Sequence, residues 1–130
     1  MSIFNLIFRG IKKSKGFKLE EKVAKAIRKK VPIESRNKTY YKNGKRYTET
    51  DIETRTCSIE VKSGKKGQRL ATQLKKQAEV TKKEAIAYAP KIPTYIKNEV
   101  RRQGFGIYSK LNDLTSYVDN KENKKRRIKK

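Results

Sequence analysis

The sequence predicts an α/β fold (α+β by strict accounting) in which helices flank one mixed central sheet, and three observations lead to it. The chain has 130 residues, the length of a single domain. Hydrophobic residues make up 34% of it, enough for a modest core although 38% of the residues are charged. Apolar residues change between helical and strand spacing in the order α-β-β-β-α-β-α-β-α. Three consecutive strands followed by strand–helix–strand connections give a sheet of mixed direction.

Each element follows from a local pattern. Helical spacing of apolar residues predicts four helices, over 17–30, 68–81, 94–103 and 111–118. Alternating or short apolar runs bounded by turn residues predict five strands, over 33–41, 47–53, 57–63, 85–89 and 105–108. The pair Asn43-Gly44 is typical of a two-residue hairpin turn between the first two strands. In the third strand Cys57, Ile59 and Val61 alternate with polar residues, so we expect them to face the core.

Charge divides the chain into three parts. Residues 121–130 carry seven basic residues and one acid, and Ile128 is their one apolar residue. A segment of this kind buries too little apolar surface to fold. We therefore expect an apolar and basic N-terminal lead at 1–14, a folded domain at 15–119 and, at 120–130, a basic tail that is disordered or loosely helical.

The overall charge indicates a polyanionic partner. Lys and Arg number 36 against 13 acids, so the formal net charge is +23. Nucleic acid is the first expectation, and an anionic membrane surface is a distant alternative. No apolar run is long enough to span a bilayer, and the opening MSIFNLIF lacks the features of a secretion signal. We expect a cytoplasmic protein.

The absence of one residue type excludes several chemistries. The sequence contains no histidine and one cysteine, Cys57. Ser-His-Asp hydrolases, nucleases with a histidine base and histidine-ligated zinc are excluded. One cysteine permits neither an internal disulfide nor a cysteine zinc site. Any hydrolysis by this chain must use carboxylates, lysines and a hard metal ion.

One constellation fits that chemistry: Asp51, followed nine residues later by Glu60-Val61-Lys62. Strand alternation puts Glu60 and Lys62 on the same face, and a short turn can bring Asp51 beside Glu60. Two converging carboxylates in a cleft either raise a pKa or bind a cation. We predict a Mg²⁺ or Mn²⁺ site formed by Asp51, Glu60, the carbonyl of Val61 and water. Lys62 would then hold or deprotonate the attacking water and balance charge on a phosphate.

The first helix offers two further acids. On a helical wheel Glu20 borders the buried stripe, whereas Glu21 faces solvent. Glu20 is therefore the better candidate for a third metal ligand, direct or through water. The alternative is an ordinary acidic residue near a helix N-terminus, favoured by the helix dipole.

A basic loop follows the predicted carboxylate site. Lys65, Lys66 and Arg69 surround the start of a helix, where amide groups and cations suit a phosphate. Generic solvated charge is the alternative. Four further residues could extend the nucleic-acid track: Lys75, Lys76, Arg101 and Arg102. Three hairpin tyrosines could stack on splayed bases, although cross-strand packing is their commoner role: Tyr40, Tyr41 and Tyr47.

These residues resemble a known motif. Asp51 and Glu60-x-Lys62, with apolar neighbours in strand alternation, are similar to the motif of the PD-(D/E)XK, or restriction-endonuclease-like, nucleases. The predicted element order also resembles the αβββαβ core of that superfamily, and the resemblance extends from Lys15 to Val118. KGFKLEEKV resembles the helix that carries an acid into the site of Holliday-junction resolvases. EVKSGKKGQRLATQLKKQ and RRQGFGIYSKLNDL resemble restriction-endonuclease-fold domains of bacterial polymorphic toxins. Thr50 stands where the motif has proline.

The resemblance implies site residues beyond the constellation. It favours Asp51 over Glu49 and Glu53, which share its strand face, and it matches Glu20 to the acidic position of the resolvase-like helix. In the toxin-like relatives a glutamine on the helix after the basic loop belongs to the site. Gln73 is the choice here, with Gln77 as the alternative.

The resemblance also implies a function. We expect a Mg²⁺- or Mn²⁺-dependent endonuclease that hydrolyses phosphodiester bonds, with DNA preferred to RNA, and the resemblance extends to toxin-like effector nucleases. Three alternatives stay open: a resolvase-like homodimer acting on branched DNA, a toxin that cleaves tRNA, and a nucleic-acid-binding module without catalysis. A toxin would have an immunity protein as a second partner.

Overall fold

The computed structural model describes the backbone of residues 15–129 and the side chains of residues 16–124. Within these residues there are four helices and five strands. The helices are α1 (Lys15–Arg28), α2 (Leu70–Thr81), α3 (Thr94–Arg102) and α4 (Leu111–Lys129). The strands are β1 (Ser35–Lys42), β2 (Lys45–Glu53), β3 (Cys57–Val61), β4 (Glu84–Tyr88) and β5 (Gly106–Tyr108). The lead predicted at 1–14 lies outside the described residues.

The five strands form one sheet in the order β1-β2-β3-β4-β5. The first three strands are antiparallel to their neighbours, and β3, β4 and β5 are parallel. The hairpin between β1 and β2 turns at Asn43 and Gly44, whose φ angles are 55° and 77°. A two-residue type I′ turn requires this left-handed conformation at both positions. Parallel neighbours need a crossover, and α2 and α3 supply the two crossovers.

Helices cover both faces of the sheet. α1 and α4 pack on one face around residues such as Ile27 and Val118, and α2 and α3 pack on the other around residues such as Leu74. Strand alternation serves both layers at once: Ile86 of β4 faces α1 and α4, and Ala87 faces α2 and α3. The result is three layers with a core on each side of the sheet.

The predicted fold class and element order are confirmed at this level: one mixed five-stranded sheet carries helices on both faces. Element ends differ from the prediction by a few residues, as for β3, which ends at Val61. None of the helices within residues 15–129 is long and apolar enough to cross a membrane.

Of the two states predicted for the tail at 120–130, disordered or loosely helical, the part that the structure describes is helical, because α4 continues to Lys129. Leu114, Val118 and Glu122 recur at four-residue spacing and all three are buried. The third member of this stripe is a carboxylate, so the apolar pattern ends at Val118 although the helix does not. A polar residue at a buried helix position cannot be recognised from hydropathy.

Glu122 is buried because it has a charged partner in another element. Its Oε1 lies 3.2 Å from Nε of Arg55, on the turn between β2 and β3. Beside it, Lys121 pairs with Glu84 at the start of β4. These two ion pairs fasten the continuation of α4 to the sheet.

Glu122→Ala should lower the free energy of unfolding by about 1 to 3 kcal/mol, since it leaves the guanidinium of Arg55 without its carboxylate. Urea unfolding followed by circular dichroism measures the change. The control is Glu99→Ala, which removes an exposed pair with Arg102 and should change stability by less than about 0.5 kcal/mol. Equal effects of the two substitutions would contradict the packing of α4 beyond residue 120.

Candidate functional site

The site begins where β2 and β3 separate. Backbone pairing between these strands ends at Ile52 and Ile59. One residue further along, the carboxylate of Asp51 takes the place of the backbone: its Oδ2 accepts a hydrogen bond from the N–H of Val61 at 2.8 Å. The same register puts Glu60 opposite Asp51, and both line the same two clefts. The two carboxylates are therefore neighbours at the fork between the strands.

Gln77 of α2, only 1% exposed, holds one of these carboxylates. Its Nε2 donates hydrogen bonds to Oε1 of Glu60 at 2.8 Å and to the backbone carbonyl of Glu49 at 3.0 Å. Its Oε1 accepts a hydrogen bond from Oγ of Ser58 at 3.3 Å. Because both partners of Nε2 are acceptors, the amide has one satisfied orientation. Gln77 thereby orients Glu60 and favours its ionised form.

Burial and nearby negative charge raise the pKa values of both carboxyl groups. Burial, and after it the charge of Glu60, raises the pKa of Asp51 to about 8, against the opposing hydrogen bond from Val61. Burial also raises the pKa of Glu60, opposed by the hydrogen bond from Gln77 and by the charge of Lys62. Two ionised carboxylates here need more positive charge than these neighbours supply, so the pair takes up a proton or a cation.

The carboxylates open on two clefts, one on each side. The α1-side cleft has a volume of about 640 Å³. It is lined by Gly16 and Glu20 of α1, by Asp51 and by the continuous segment 60–66. That segment contributes three lysines, so the cleft carries positive charge next to its carboxylates: Lys62, Lys65 and Lys66. This is the arrangement that a phosphate bound next to a cation would require.

The α2-side cleft has a volume of about 320 Å³ and shares Asp51 and Glu60 with the first. Its other lining residues come from β2, the start of α2 and the residue before it: Arg46, Tyr47, Thr48, Glu49, Arg69, Thr72, Gln73 and Lys76. The amide oxygen of Gln73 is buried and has no hydrogen-bond partner among the described residues. Both glutamines left open by the sequence therefore belong to this site: Gln77 supports Glu60, and Gln73 lines the cleft.

Glu20 lies in the α1-side cleft, but its charge is already paired. Its Oε1 lies 3.1 Å from Nη2 of Arg36 on β1, and the same Nη2 lies 2.7 Å from Oε1 of Glu21. The exposed fraction of the side chain is 13% for Glu20 and 49% for Glu21, the order that the helical wheel predicts. Arg36 was missed by the sequence reasoning, because nothing local connects a strand arginine to a helix 16 residues earlier.

The predicted basic track is divided between the two clefts. Lys65 and Lys66 line the α1-side cleft, and Arg69 and Lys76 line the α2-side cleft. Lys75, one residue from Lys76 on the helix, is exposed and lines neither. The cations therefore stand on both sides of the carboxylate pair.

The arginines at the end of α3 line neither cleft, and their part in a nucleic-acid track stays a prediction. Arg101 donates a hydrogen bond from Nη2 to the carbonyl of Ile107 at 3.4 Å, and Arg102 pairs with Glu99. Both lie beside the edge strand β5, two strands beyond β3. The crossover through α3 carries them away from the fork, which the chain order alone does not reveal.

The hairpin tyrosines have different roles. The hydroxyl of Tyr40 donates to Glu53 at 2.6 Å, a contact inside the fold. Tyr41 is 69% exposed. Tyr47 lines the α2-side cleft, donates to Glu79 and has the ammonium groups of Lys42 and Lys76 within 5.0 Å of its ring centroid. One of the three tyrosines therefore borders the candidate site.

The oxygen donors of the site fit a hard metal ion better than a soft one. Across residues 15–129, no three Asp, Glu or Cys side chains converge closely enough to hold a metal by themselves. The donors that do meet are the carboxylates of Asp51 and Glu60 and the unpartnered amide oxygen of Gln73. Val61 lines the adjoining cleft and would add its carbonyl. Such a set leaves ligand positions for water, as Mg²⁺ and Mn²⁺ prefer.

Comparison with protein-family models, with curated protein sequences and with solved structures finds no match to this chain. The chemistry of the site must therefore be argued from its own residues and contacts.

Asp51→Asn should stabilise the metal-free protein above pH 8 by about 5 °C or more in Tm. The folded state keeps the Asp51 proton up to about pH 8, whereas an unfolded aspartate loses it near pH 4, so wild-type stability falls as pH rises between these values. Asparagine has no charge to bury and can still accept the hydrogen bond from Val61. Thermal unfolding in EDTA at pH 5, 7 and 9 measures the effect.

Two checks accompany that measurement. The advantage of asparagine should shrink toward pH 5 and should shrink again when Mg²⁺ is added, since an ion bound to the folded state stabilises wild type. Asp113→Asn, an acidic residue outside both clefts, is the matched control and should show neither trend. A Tm difference independent of pH would contradict the raised pKa of Asp51.

Proposed function

We propose that the protein is a metal-dependent nuclease that hydrolyses phosphodiester bonds, with DNA as the preferred substrate. The observation that carries the proposal is the half-buried pair Asp51 and Glu60, with Lys62 two residues further along the chain and lysines 65 and 66 in the same cleft. A pair of carboxylates with a raised pKa takes up a proton or a cation, and the lysines beside it attract an anion. A metal ion together with a phosphate of nucleic acid meets both needs.

The residues that would hold the metal are Asp51 and Glu60, with the carbonyl of Val61. A bound Mg²⁺ or Mn²⁺ supplies a nucleophilic water at neutral pH and neutralises charge on the phosphoryl oxygens. Glu20 shares Arg36 with Glu21, so it adds a hydrogen-bond acceptor for water with its charge only partly offset. Gln77 keeps Glu60 oriented, and its hydrogen bond opposes the effect of burial on the pKa of Glu60.

Lys62 is the residue of the chain that acts on the phosphate or its attacking water. Its backbone N–H donates to the carbonyl of Tyr88 at 2.9 Å, which continues the parallel pairing of β3 with β4 and fixes its position. Its positive charge opposes the rise in the pKa of Glu60, and the residue lines the α1-side cleft. An ammonium in this place can hold a proton of the attacking water and offset charge that develops on the phosphate.

Affinity comes from the rest of the surface. The net charge of +23 favours any nucleic acid without reading its sequence. Lys65 and Lys66 on one side, and Arg69 and Lys76 on the other, put cations at the carboxylates themselves. Binding and chemistry are therefore carried by different residues and can be separated by substitution.

The mixed sheet, the flanking helices and the position of the pair at a strand fork all support the resemblance to restriction-endonuclease-like nucleases. Under this proposal the chain has the αβββαβ core of that superfamily within α1 to β4. The complete set of Asp51, Glu60 and Lys62 argues against a binding module that has lost catalysis. Incubation with plasmid, a four-way junction and total tRNA, each with Mg²⁺ and with EDTA, tests the activity and separates a DNA endonuclease from a resolvase-like enzyme and a tRNA-cleaving toxin.

Glu60→Gln and Lys62→Met should each reduce single-turnover cleavage by about 10²- to 10³-fold or more while changing the affinity for nucleic acid by less than about threefold. Gln at position 60 keeps an oxygen for Gln77 but loses the charge that holds the metal. Rapid-quench cleavage with Mg²⁺ and anisotropy binding in EDTA measure the two quantities.

The matched controls are Glu99→Gln and Lys75→Met, which make the same changes on exposed helix surfaces outside both clefts. Both should cleave like wild type. Full activity in Glu60→Gln and Lys62→Met would show that cleavage does not take place at this site.

Lys65→Ala with Lys66→Ala should reduce the slope of log affinity against log salt by about 1 to 2 on duplex DNA, since each engaged phosphate contributes about 0.9. Arg101→Ala with Arg102→Ala removes the same charge beside β5 and should leave the slope within about 0.5 of wild type. Anisotropy titrations at several salt concentrations give both slopes. Equal slope changes for the two double substitutions would mean that binding depends on the number of cations and not on their position.

A further inference from the structure

A third cavity adjoins the α1-side cleft. It has a volume of about 330 Å³ and lies between the first turns of α1 and the residues after β4. Its lining residues are Lys18, Leu19, Lys22, Ser63, Pro90 and Lys91. Ser63 also lines the α1-side cleft, so the two cavities are adjacent.

This pocket differs in chemistry from the two clefts. Leu19 and Pro90 are half-buried and give it apolar walls, whereas Lys18, Lys22 and Lys91 are exposed around it. No carboxylate lines it. A purely phosphate-binding surface would not need apolar walls, and an apolar partner would not need three lysines. A nucleotide offers both an apolar base and a charged phosphate.

The three cavities follow one another across the molecule. The pocket shares Ser63 with the α1-side cleft, and that cleft shares Asp51 and Glu60 with the α2-side cleft. The carboxylates therefore lie between the two clefts, and the apolar-walled pocket adjoins one of them; we call these three neighbouring cavities the groove. A nucleic-acid strand with one phosphate at the carboxylates could place a neighbouring nucleotide at this pocket.

We propose that this pocket binds one unpaired nucleobase next to the phosphate at the carboxylates, so that the substrate is a nucleic acid with a single-stranded or splayed stretch on the α1 side. A base inside a duplex is stacked on both faces and can enter only after it leaves the stack, which costs a few kcal/mol. The assignment rests on the proposed function for the meaning of the neighbouring cleft, but base binding at the pocket can be measured without cleavage.

The test compares two labelled chains that carry the same phosphates, a 12-nucleotide oligothymidylate and a 12-unit abasic chain. With the full-length protein in EDTA, we expect the oligothymidylate to bind about five- to tenfold more tightly, from burial of one base against the apolar walls. Leu19→Ala should remove most of this preference without weakening binding of the abasic chain. Tyr41→Ala and Tyr95→Ala, at two exposed aromatic side chains outside the pocket, should leave it unchanged.

A charge test avoids the core entirely. Lys22→Glu with Lys91→Glu should weaken oligothymidylate binding at least threefold more than Lys25→Glu with Lys110→Glu, which changes net charge equally at exposed positions outside the groove. Photocrosslinking of wild type to an oligonucleotide with 4-thiothymidine, followed by peptide mass spectrometry, should label residues 18–22 or 90–91. This measurement needs no substitution and so does not depend on the folding of Leu19→Ala.

The proposal would be overturned if the two chains bound with equal affinity, or if Tyr41→Ala or Tyr95→Ala, instead of Leu19→Ala, removed the preference. Crosslinks confined to other residues would also overturn it. Cleavage assays keep the two proposals apart. Base preference without cleavage under any metal would refute the nuclease and leave the pocket, whereas cleavage with no preference for bases would refute the pocket and leave the nuclease.

Discussion

The site depends on one hydrogen bond, from the N–H of Val61 to the carboxylate of Asp51. Where two antiparallel strands would pair through their backbones, a side chain occupies the position and the strands part. The parting creates the clefts on either side, and it brings Asp51 against Glu60 within a partly buried space. Burial of these carboxylates, and after it their repulsion, is the cost of the arrangement, and it appears as the raised pKa of Asp51.

The rest of the site limits that cost without removing it. Gln77 supports Glu60 through its amide, and Arg36 partly offsets the charge of Glu20 at the edge of the α1-side cleft. Neither contact places a cation on Asp51, so its carboxyl group keeps a proton up to about pH 8, where its pKa lies. A strongly shifted pKa in a cleft is typical of positions that bind a ligand. The cations around the groove attract a polyanion to the same place.

Part of the site could be read from the sequence and part could not. Asp51, Glu60 and Lys62 follow from strand alternation and residue type, because these depend on neighbours within a few positions. Gln73 and Gln77 are one helical turn apart, and only the packing of α2 on the sheet separates the cleft-lining residue from the one that bonds to Glu60. Arg101 and Arg102 were assigned to the track from charge alone, although the crossover through α3 puts them beside β5. Hydropathy also ended α4 at Val118, since Glu122 occupies a buried position that Arg55 makes tolerable.

By itself, the sequence determined the fold class, the order of the elements, the turn at Asn43-Gly44 and the carboxylate pair, because periodicity and turn chemistry are local. It also excluded histidine chemistry, which needs only a count. The tertiary structure alone decided which polar side chains meet: Arg36 with Glu20, Arg55 with Glu122 and Gln77 with Glu60. These contacts join residues 16, 67 and 17 positions apart, at distances set by how the layers pack. The groove formed by the three cavities has the same origin, since no stretch of the chain contains all of its walls.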